Sequence, residues 1–134
     1  MDIFDSHAHY DDDSFNEDRI KVIEELKDNN IIGVLNCGSS FKGALDSVNL
    51  AKKYDFFYAA VGIHPEYADT VDENILQKIK DMASYSKVKA IGEIGLDYYH
   101  EDNPPKEVQK EVFMKQMKLA MELSLPVVIH DRDA

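Results

Sequence analysis

The chain has 134 residues and a formal net charge of −11, a size that corresponds to one ordinary domain. Its acidic balance excludes sequence-independent binding of nucleic acid through a basic face, because phosphates are attracted by clustered Lys and Arg. No apolar run is long enough to span a bilayer, and the stretch MDIFDSHAHY lacks the basic and apolar regions of a secretory signal. We therefore predict a cytoplasmic protein with no membrane partner.

In chain order, short runs typical of buried strands alternate with segments of helical periodicity. The predicted strands are residues 3–5, 31–37, 57–62, 88–93 and 127–129. The four helices between them are marked by apolar residues at helical spacing, namely Ile20, Ile23, Leu26; Leu45, Val48, Ala51; Ile75, Ile79, Met82; Val108, Val112, Phe113, Met117, Ala120 and Met121. Capping-box spacing at residues 14–17 and 70–73 predicts two of the helix starts.

This order of elements requires crossover connections and predicts a parallel sheet with helices packed outside it. Two closures remain open, an open doubly wound sheet or part of a (β/α)8 barrel. In either one, functional groups collect at the C-terminal ends of the strands. Four of the five histidines lie at those ends, in the segments 5–9, 37–40, 62–65, 92–95 and 130–133.

The most informative of these residues are His7, His9, Glu93 and His130. Alternate residues of a strand point to one side, so the two imidazoles of His7 and His9 can face one cation. Imidazole and carboxylate groups from three strand ends form a ligand mixture suited to zinc, manganese or iron. A metal would also stabilise the ionised Glu93 at the end of a buried strand, although a salt bridge with Arg132 is an alternative.

The segments DSHAHY, VLNCG, AAVGIHPEYA, AIGEIGLDYYHE and LPVVIHDRDA resemble the successive signatures of the TatD family of metal-dependent deoxyribonucleases, within the amidohydrolase-like barrels. The resemblance runs through the whole chain. It implies an α/β fold of the TIM type, two divalent metal ions (Mg, Mn or Zn) at the barrel mouth, and hydrolysis of DNA, commonly as a 3'-to-5' exonuclease.

Residue by residue, the resemblance implies that His7 and His9 bind one metal, that Glu93 bridges both metals, and that His130 binds the second. It makes Glu93 and His64 the predicted catalytic residues, with His64 beside the substrate. His64 is also explained as a turn residue fixed by Pro65.

Two further residues are candidates for contact with the substrate. Arg132 is predicted either to hold a phosphate or to pair with Asp131 or Asp133. Tyr98 is predicted either to stack on a base or to pack at the rim.

A full barrel takes about 250 residues and eight strands, so residues 1–134 are expected to form a single truncated barrel domain with five strands and four helices. The family's remaining ligands, a histidine after the sixth strand and an aspartate after the eighth, have no counterpart here, which predicts one partially formed metal site. The open edges predict a homo-oligomer. Two alternatives remain: a non-catalytic remnant that binds metal or a partner, and another metallohydrolase acting on an ester or amide.

Overall fold

The computed structural model describes residues 1–134 as one parallel sheet with helices on its outer side. The strands and helices are β1 (Ile3–Ala8), α1 (Arg19–Asp28), β2 (Ile31–Cys37), α2 (Phe41–Lys53), β3 (Phe57–Val61), α3 (Glu73–Ala83), β4 (Val88–Asp97), α4 (Lys106–Leu123) and β5 (Val127–Arg132). Two short 3-10 helices, Asp13–Phe15 and Pro65–Thr70, follow β1 and β3. None of the helices is long and apolar enough to cross a membrane.

The five strands lie side by side in chain order, and every neighbouring pair is parallel. This arrangement is part of a (β/α)8 barrel and confirms the predicted fold class; a doubly wound sheet would reverse its strand order at a switch point. All five strand C-termini consequently lie at one edge of the sheet, where the polar residues of the predicted site are found.

The main hydrophobic core lies between the outer face of the sheet and the helices. Alternation along β3 shows the division, because Ala59 and Val61 belong to the core under the helices and Ala60 packs with Cys37 and Ala90 on the other side. The inner face borders an open concavity of about 780 Å³, which Phe4 and Tyr58 help to line. The sheet thus has one well-covered face and one face with little cover.

Helix starts differ from those predicted by the capping-box spacing. α3 begins one residue after Asp72, whose side chain accepts a hydrogen bond from the Ile75 backbone N–H at 2.8 Å. After β1 the first cap is Asp12, which closes a 3-10 turn, and α1 begins only at Arg19. Aspartate caps a helix as well as serine or threonine does, so several acids near each start offered competing caps.

Candidate metal centre

The first part of the site joins the end of β1 to the middle of β4. His7 lies in β1, His9 directly follows its last residue, and Glu93 is the sixth of the ten residues of β4. The Nε2 atoms of His7 and His9 lie 3.2 and 3.3 Å from the same Glu93 oxygen, Oε2. These three ligand atoms lie within 4.8 Å of one another, so they could hold a single cation.

A buried asparagine anchors the segment that carries His9. The Asn36 side chain accepts from the Tyr10 backbone N–H at 2.6 Å and donates to Asp11 Oδ1 and Ser47 Oγ, both at 2.8 Å. Asn36 is fully buried on β2, and a buried amide is stable only when its polar atoms have partners. Its three partners therefore fix the chain immediately after His9 against β2 and α2.

The protonation states of His9 and Glu93 suit the binding of a cation. His9 Nδ1 lies 2.8 Å from the Cys37 backbone carbonyl and donates there, while Nε2 faces Glu93 Oε2. Without a cation Nε2 donates to that carboxylate, and a bound cation would take the place of its proton. Burial by itself raises the pKa of the Glu93 carboxyl, but the hydrogen bond with His9 and the charge of His7 lower it to about 2. The same hydrogen bond raises the pKa of His9. An ionised carboxylate facing two imidazole nitrogens is a suitable donor set for a divalent metal.

A second group of possible ligands lies beside the first. It consists of His64, Asp97 and His130, whose ligand atoms also lie within 4.8 Å of one another. His130 touches both groups, since its Nδ1 lies 3.1 Å from Glu93 Oε1 and its Nε2 lies 3.0 Å from Asp97 Oδ2. The two Glu93 oxygens thus face different histidine sets, Oε2 facing His7 and His9 and Oε1 facing His130.

His64 has a role in the local backbone as well as a place in the site. Its Nδ1 accepts a hydrogen bond from the Glu66 backbone N–H at 3.1 Å, which caps the 3-10 helix that begins at Pro65. Burial, together with the charge of His130, lowers the pKa of His64 to about 4. A neutral ring whose Nδ1 accepts must carry its proton on Nε2. His64 therefore offers a hydrogen-bond donor to the cleft rather than a lone pair.

These groups open into a cleft of about 730 Å³, bordered by His9, His64, Glu93 and His130 and by residues of the loops after β1, β2 and β3. Neither Arg132 nor Tyr98 lines it. Arg132 Nη1 lies 3.3 Å from His100 Nε2 and its guanidinium lies over the Tyr99 ring, and it forms no ion pair with Asp131 or Asp133. Lys106 lies over the Tyr98 ring, whose hydroxyl is buried without a hydrogen-bond partner.

Two buried glutamines of α4 hold the strand ends from outside. Gln116 accepts from the Ile63 N–H at 2.7 Å and donates to the Ile63 carbonyl at 3.0 Å. Gln109 accepts from the Asp97 N–H at 2.8 Å and donates to the Asp97 carbonyl at 3.0 Å. Each glutamine pairs with both the N–H and the carbonyl of one residue, and together they fix the backbone next to His64 and at Asp97.

We expect Gln116→Met to lower the free energy of unfolding by about 3 kcal/mol, because it leaves the Ile63 N–H and carbonyl buried without partners. Urea unfolding followed by circular dichroism measures the change. The control is Gln77→Met on α3, where the glutamine is exposed and contacts Asp81; it should change the value by less than about 0.5 kcal/mol. Equal effects of the two substitutions would contradict this role for Gln116.

The structure brings together five site residues predicted from the sequence, namely His7, His9, His64, Glu93 and His130. Asp97 was not predicted, although Glu93, Gly95 and Asp97 alternate along β4 and so share a face. The buried amides Asn36, Gln109 and Gln116 were not predicted either. A polar residue inside an otherwise apolar face was the signal available for them.

Comparisons with known proteins find similarity along almost the whole chain. The family model described as TatD related DNase matches residues 4–134. The chain is 42% identical over 132 residues to the uncharacterized metal-dependent hydrolase YabD of Bacillus subtilis, covering 98% of this chain and 51% of that protein. It is 36% identical over 121 residues to the 3'-5' ssDNA/RNA exonuclease TatD of Yersinia pseudotuberculosis, covering 90% of this chain and 46% of that protein.

Among solved structures, the crystal structure of YJJV, a TatD homolog from Escherichia coli, superposes with a TM-score of 0.88 at 28% sequence identity. The match covers 98% of this chain and 51% of that one. The chain spans about half the length of the curated relatives it matches.

Proposed function

Because this chain belongs to the TatD family of metal-dependent hydrolases, we propose that it is a metal-dependent nuclease that cleaves the phosphodiester bonds of DNA as a 3'-to-5' exonuclease. The observation that carries this proposal is the meeting of His7, His9 and Glu93, with His9 Nδ1 donating to the Cys37 carbonyl. The similarity to a 3'-5' ssDNA/RNA exonuclease supports the choice of substrate.

In this proposal His7, His9 and Glu93 hold one divalent metal, and Glu93 and His130 contribute to a second. A carboxylate suits the shared position because its two oxygens already face separate histidine sets. A bound divalent cation supplies positive charge that polarises a phosphate oxygen and makes water more acidic. Imidazole and carboxylate donors suit several of the ions Mg, Mn and Zn, so a metal titration is needed to decide among them.

The chain's own residues then orient the substrate. The His64 ring, neutral near pH 7 because its pKa is about 4, donates from Nε2 to a phosphate oxygen or to the leaving oxygen. The carboxylate of Glu93 lines the cleft beside His64, so a phosphate needs cationic help to approach. Contact of Arg132 and Tyr98 with the substrate stays a prediction, since both lie outside the cleft lining.

A second candidate is a chain that binds metal or a partner without turnover. It fits the same two ligand groups, because a metal can bind to them without turnover. The single truncated domain over residues 1–134 and the cytoplasmic location also stay predictions. So does the homo-oligomer through the open sheet edges, which light scattering at micromolar concentration tests.

The test is digestion of a single-stranded DNA oligonucleotide labelled at its 5' end, with Mn²⁺ or Mg²⁺ added to the purified chain. We expect stepwise shortening from the 3' end that EDTA stops, and a rate about 100-fold lower for His64→Ala because a proton donor is removed. Glu101→Ala, on an exposed loop, serves as the control and should keep the full rate.

Other outcomes would contradict the nuclease assignment. Stoichiometric metal without cleavage of DNA or RNA would favour the non-catalytic chain. Metal-dependent release of p-nitrophenol from an ester, without nucleolysis, would favour a hydrolase of esters or amides.

A further inference from the structure

His130 lies between two carboxylates that contact opposite nitrogens of its ring. Nδ1 faces Glu93 Oε1 at 3.1 Å, and Nε2 faces Asp97 Oδ2 at 3.0 Å. A neutral imidazole has one donor nitrogen and one acceptor nitrogen. When a cation binds one ring nitrogen, the proton stays on the other and is donated to the carboxylate on that side. The carboxylate that accepts this proton therefore decides which nitrogen can bind a metal.

The Asp97 side is built as a fixed hydrogen-bond acceptor. Asp97 is 2% exposed, and its Oδ1 accepts from the backbone N–H groups of Tyr99 at 3.1 Å and His100 at 3.4 Å. Gln109 holds both the N–H and the carbonyl of Asp97. With Oδ1 and the backbone engaged, Oδ2 is the oxygen that faces His130.

The hydrogen bonds of Asp97 agree with an acceptor role. Its Oδ1 already accepts from two backbone N–H groups, and its Oδ2 faces a ring nitrogen that can donate, so the proton in the contact with His130 belongs to the ring.

The Glu93 side resembles the arrangement of His9. His9 directs Nδ1 to the Cys37 carbonyl, away from Glu93, and turns its other nitrogen towards Oε2. His130 directs Nε2 to Asp97 and turns Nδ1 towards Oε1. In both rings one nitrogen is held by an acceptor and the other faces the carboxylate on which His7 also converges.

We infer that Asp97 is a positioning residue that keeps the proton of His130 on Nε2, so that Nδ1 is the nitrogen free to bind a metal beside Glu93. Metal-bound histidines commonly donate their other N–H to a carboxylate in this way. The inference rests on the proposed function only where it invokes a metal, and it assigns Asp97 no contact with that metal. The tautomer of His64 is consistent with this role for Asp97. His64 Nδ1 accepts from the Glu66 N–H and Nε2 carries the proton, so His64 offers no lone pair and cannot complete a separate metal site with Asp97 and His130.

The first test is a long-range ¹H–¹⁵N spectrum of the histidine rings in the ¹⁵N-labelled chain, recorded with zinc as the probe. We expect His130 to keep a proton on Nε2 and its Nδ1 resonance to move to the position of a metal-bound nitrogen. Zinc on Nε2, or a proton on Nδ1, overturns the inference.

The same spectra separate this inference from the proposed function. If the chain takes up no zinc, the proposed metal site fails. The metal-free spectrum then decides the inference, at a pH where the spectrum itself shows the His130 ring to be neutral. A proton on Nε2 upholds the role of Asp97, and a proton on Nδ1 ends it.

The second test is Asp97→Asn, which can keep its oxygen on the Tyr99 and His100 N–H groups and turn its NH₂ towards His130 Nε2. We expect the ring proton to move to Nδ1, zinc affinity at His130 to fall 10–100-fold, and the zinc-dependent shifts of His7 and His9 to stay. The control is Asp131→Asn, an exposed acid on the same strand, which should change none of these signals.

Unchanged His130 resonances in Asp97→Asn would overturn the inference. A purely structural role for Asp97 would lower stability without moving the proton from one ring nitrogen to the other. If Asp97→Asn does not fold, the wild-type spectra decide the question, because they need no substitution.

Discussion

Replacing Glu93 with alanine should remove metal binding from this chain, with an affinity at least about 100-fold lower than that of the wild type. The reason is geometric as well as electrostatic, because Glu93 is the one residue whose oxygens reach His7, His9 and His130. Isothermal titration with zinc and manganese, together with elemental analysis of the purified protein, measures the loss.

Thermal unfolding adds a readout that does not depend on activity. Metal bound only to the folded state adds about 2.7 kcal/mol of stability when its free concentration is 100 times the Kd. EDTA should therefore lower the Tm of the wild type and of the exposed-loop control Glu101→Ala, and leave the Tm of Glu93→Ala unchanged. A Glu93→Ala protein that keeps stoichiometric metal would contradict the assignment of the site.

Gly95→Ala should produce the largest loss of stability of any single methyl group added to the chain, about 4 kcal/mol. Gly95 pairs with His130 across β4 and β5, has a φ of 151°, and would place a Cβ 1.9 Å from the His130 carbonyl oxygen. That oxygen belongs to the backbone of the neighbouring strand, so relief requires the two strands to separate. Urea unfolding measures the change.

Gly33→Ala is the matched control for this substitution, because Gly33 also lies on a strand and faces a close neighbour. Its new Cβ would meet the Phe4 ring at 2.4 Å, but Phe4 is 52% exposed at the sheet edge and its ring can rotate away. We expect a loss below about 1.5 kcal/mol. If Gly33→Ala costs as much as Gly95→Ala, strand separation is not the cause of the larger effect.

The sheet was predictable because its strands read as short apolar runs, and their order with the helices permits few topologies. Helical periodicity located all four helices but did not predict correctly which of their apolar residues are buried. Ile20, Leu45 and Met121, which the spacing counted as apolar positions, are 55%, 42% and 76% exposed. Only packing against the sheet decides which edge of an apolar stripe is covered.

The site was predictable to the extent that its residues lie at strand ends. His7, His9, Glu93 and His130 were found because parallel strands end at one edge. Asp97 was not, since an acid just before two tyrosines and a loop looks like a turn residue. Gln109 and Gln116 were also out of reach, because their partners are backbone groups distant in sequence, at Asp97 and Ile63.

The order of the strands also sets a schedule for the growing chain. Each strand pairs with the one made just before it, so pairing can follow synthesis and avoids long-range searches that slow folding. The proposed metal ligands do not follow this sequence of neighbours, because His7 belongs to the first strand and Glu93 to the fourth. At about 5–20 residues per second, Glu93 is synthesised roughly 4–17 s after His7 and His9. During that interval the two histidines have no carboxylate beside them, and the oxygen that both approach arrives only with the fourth strand.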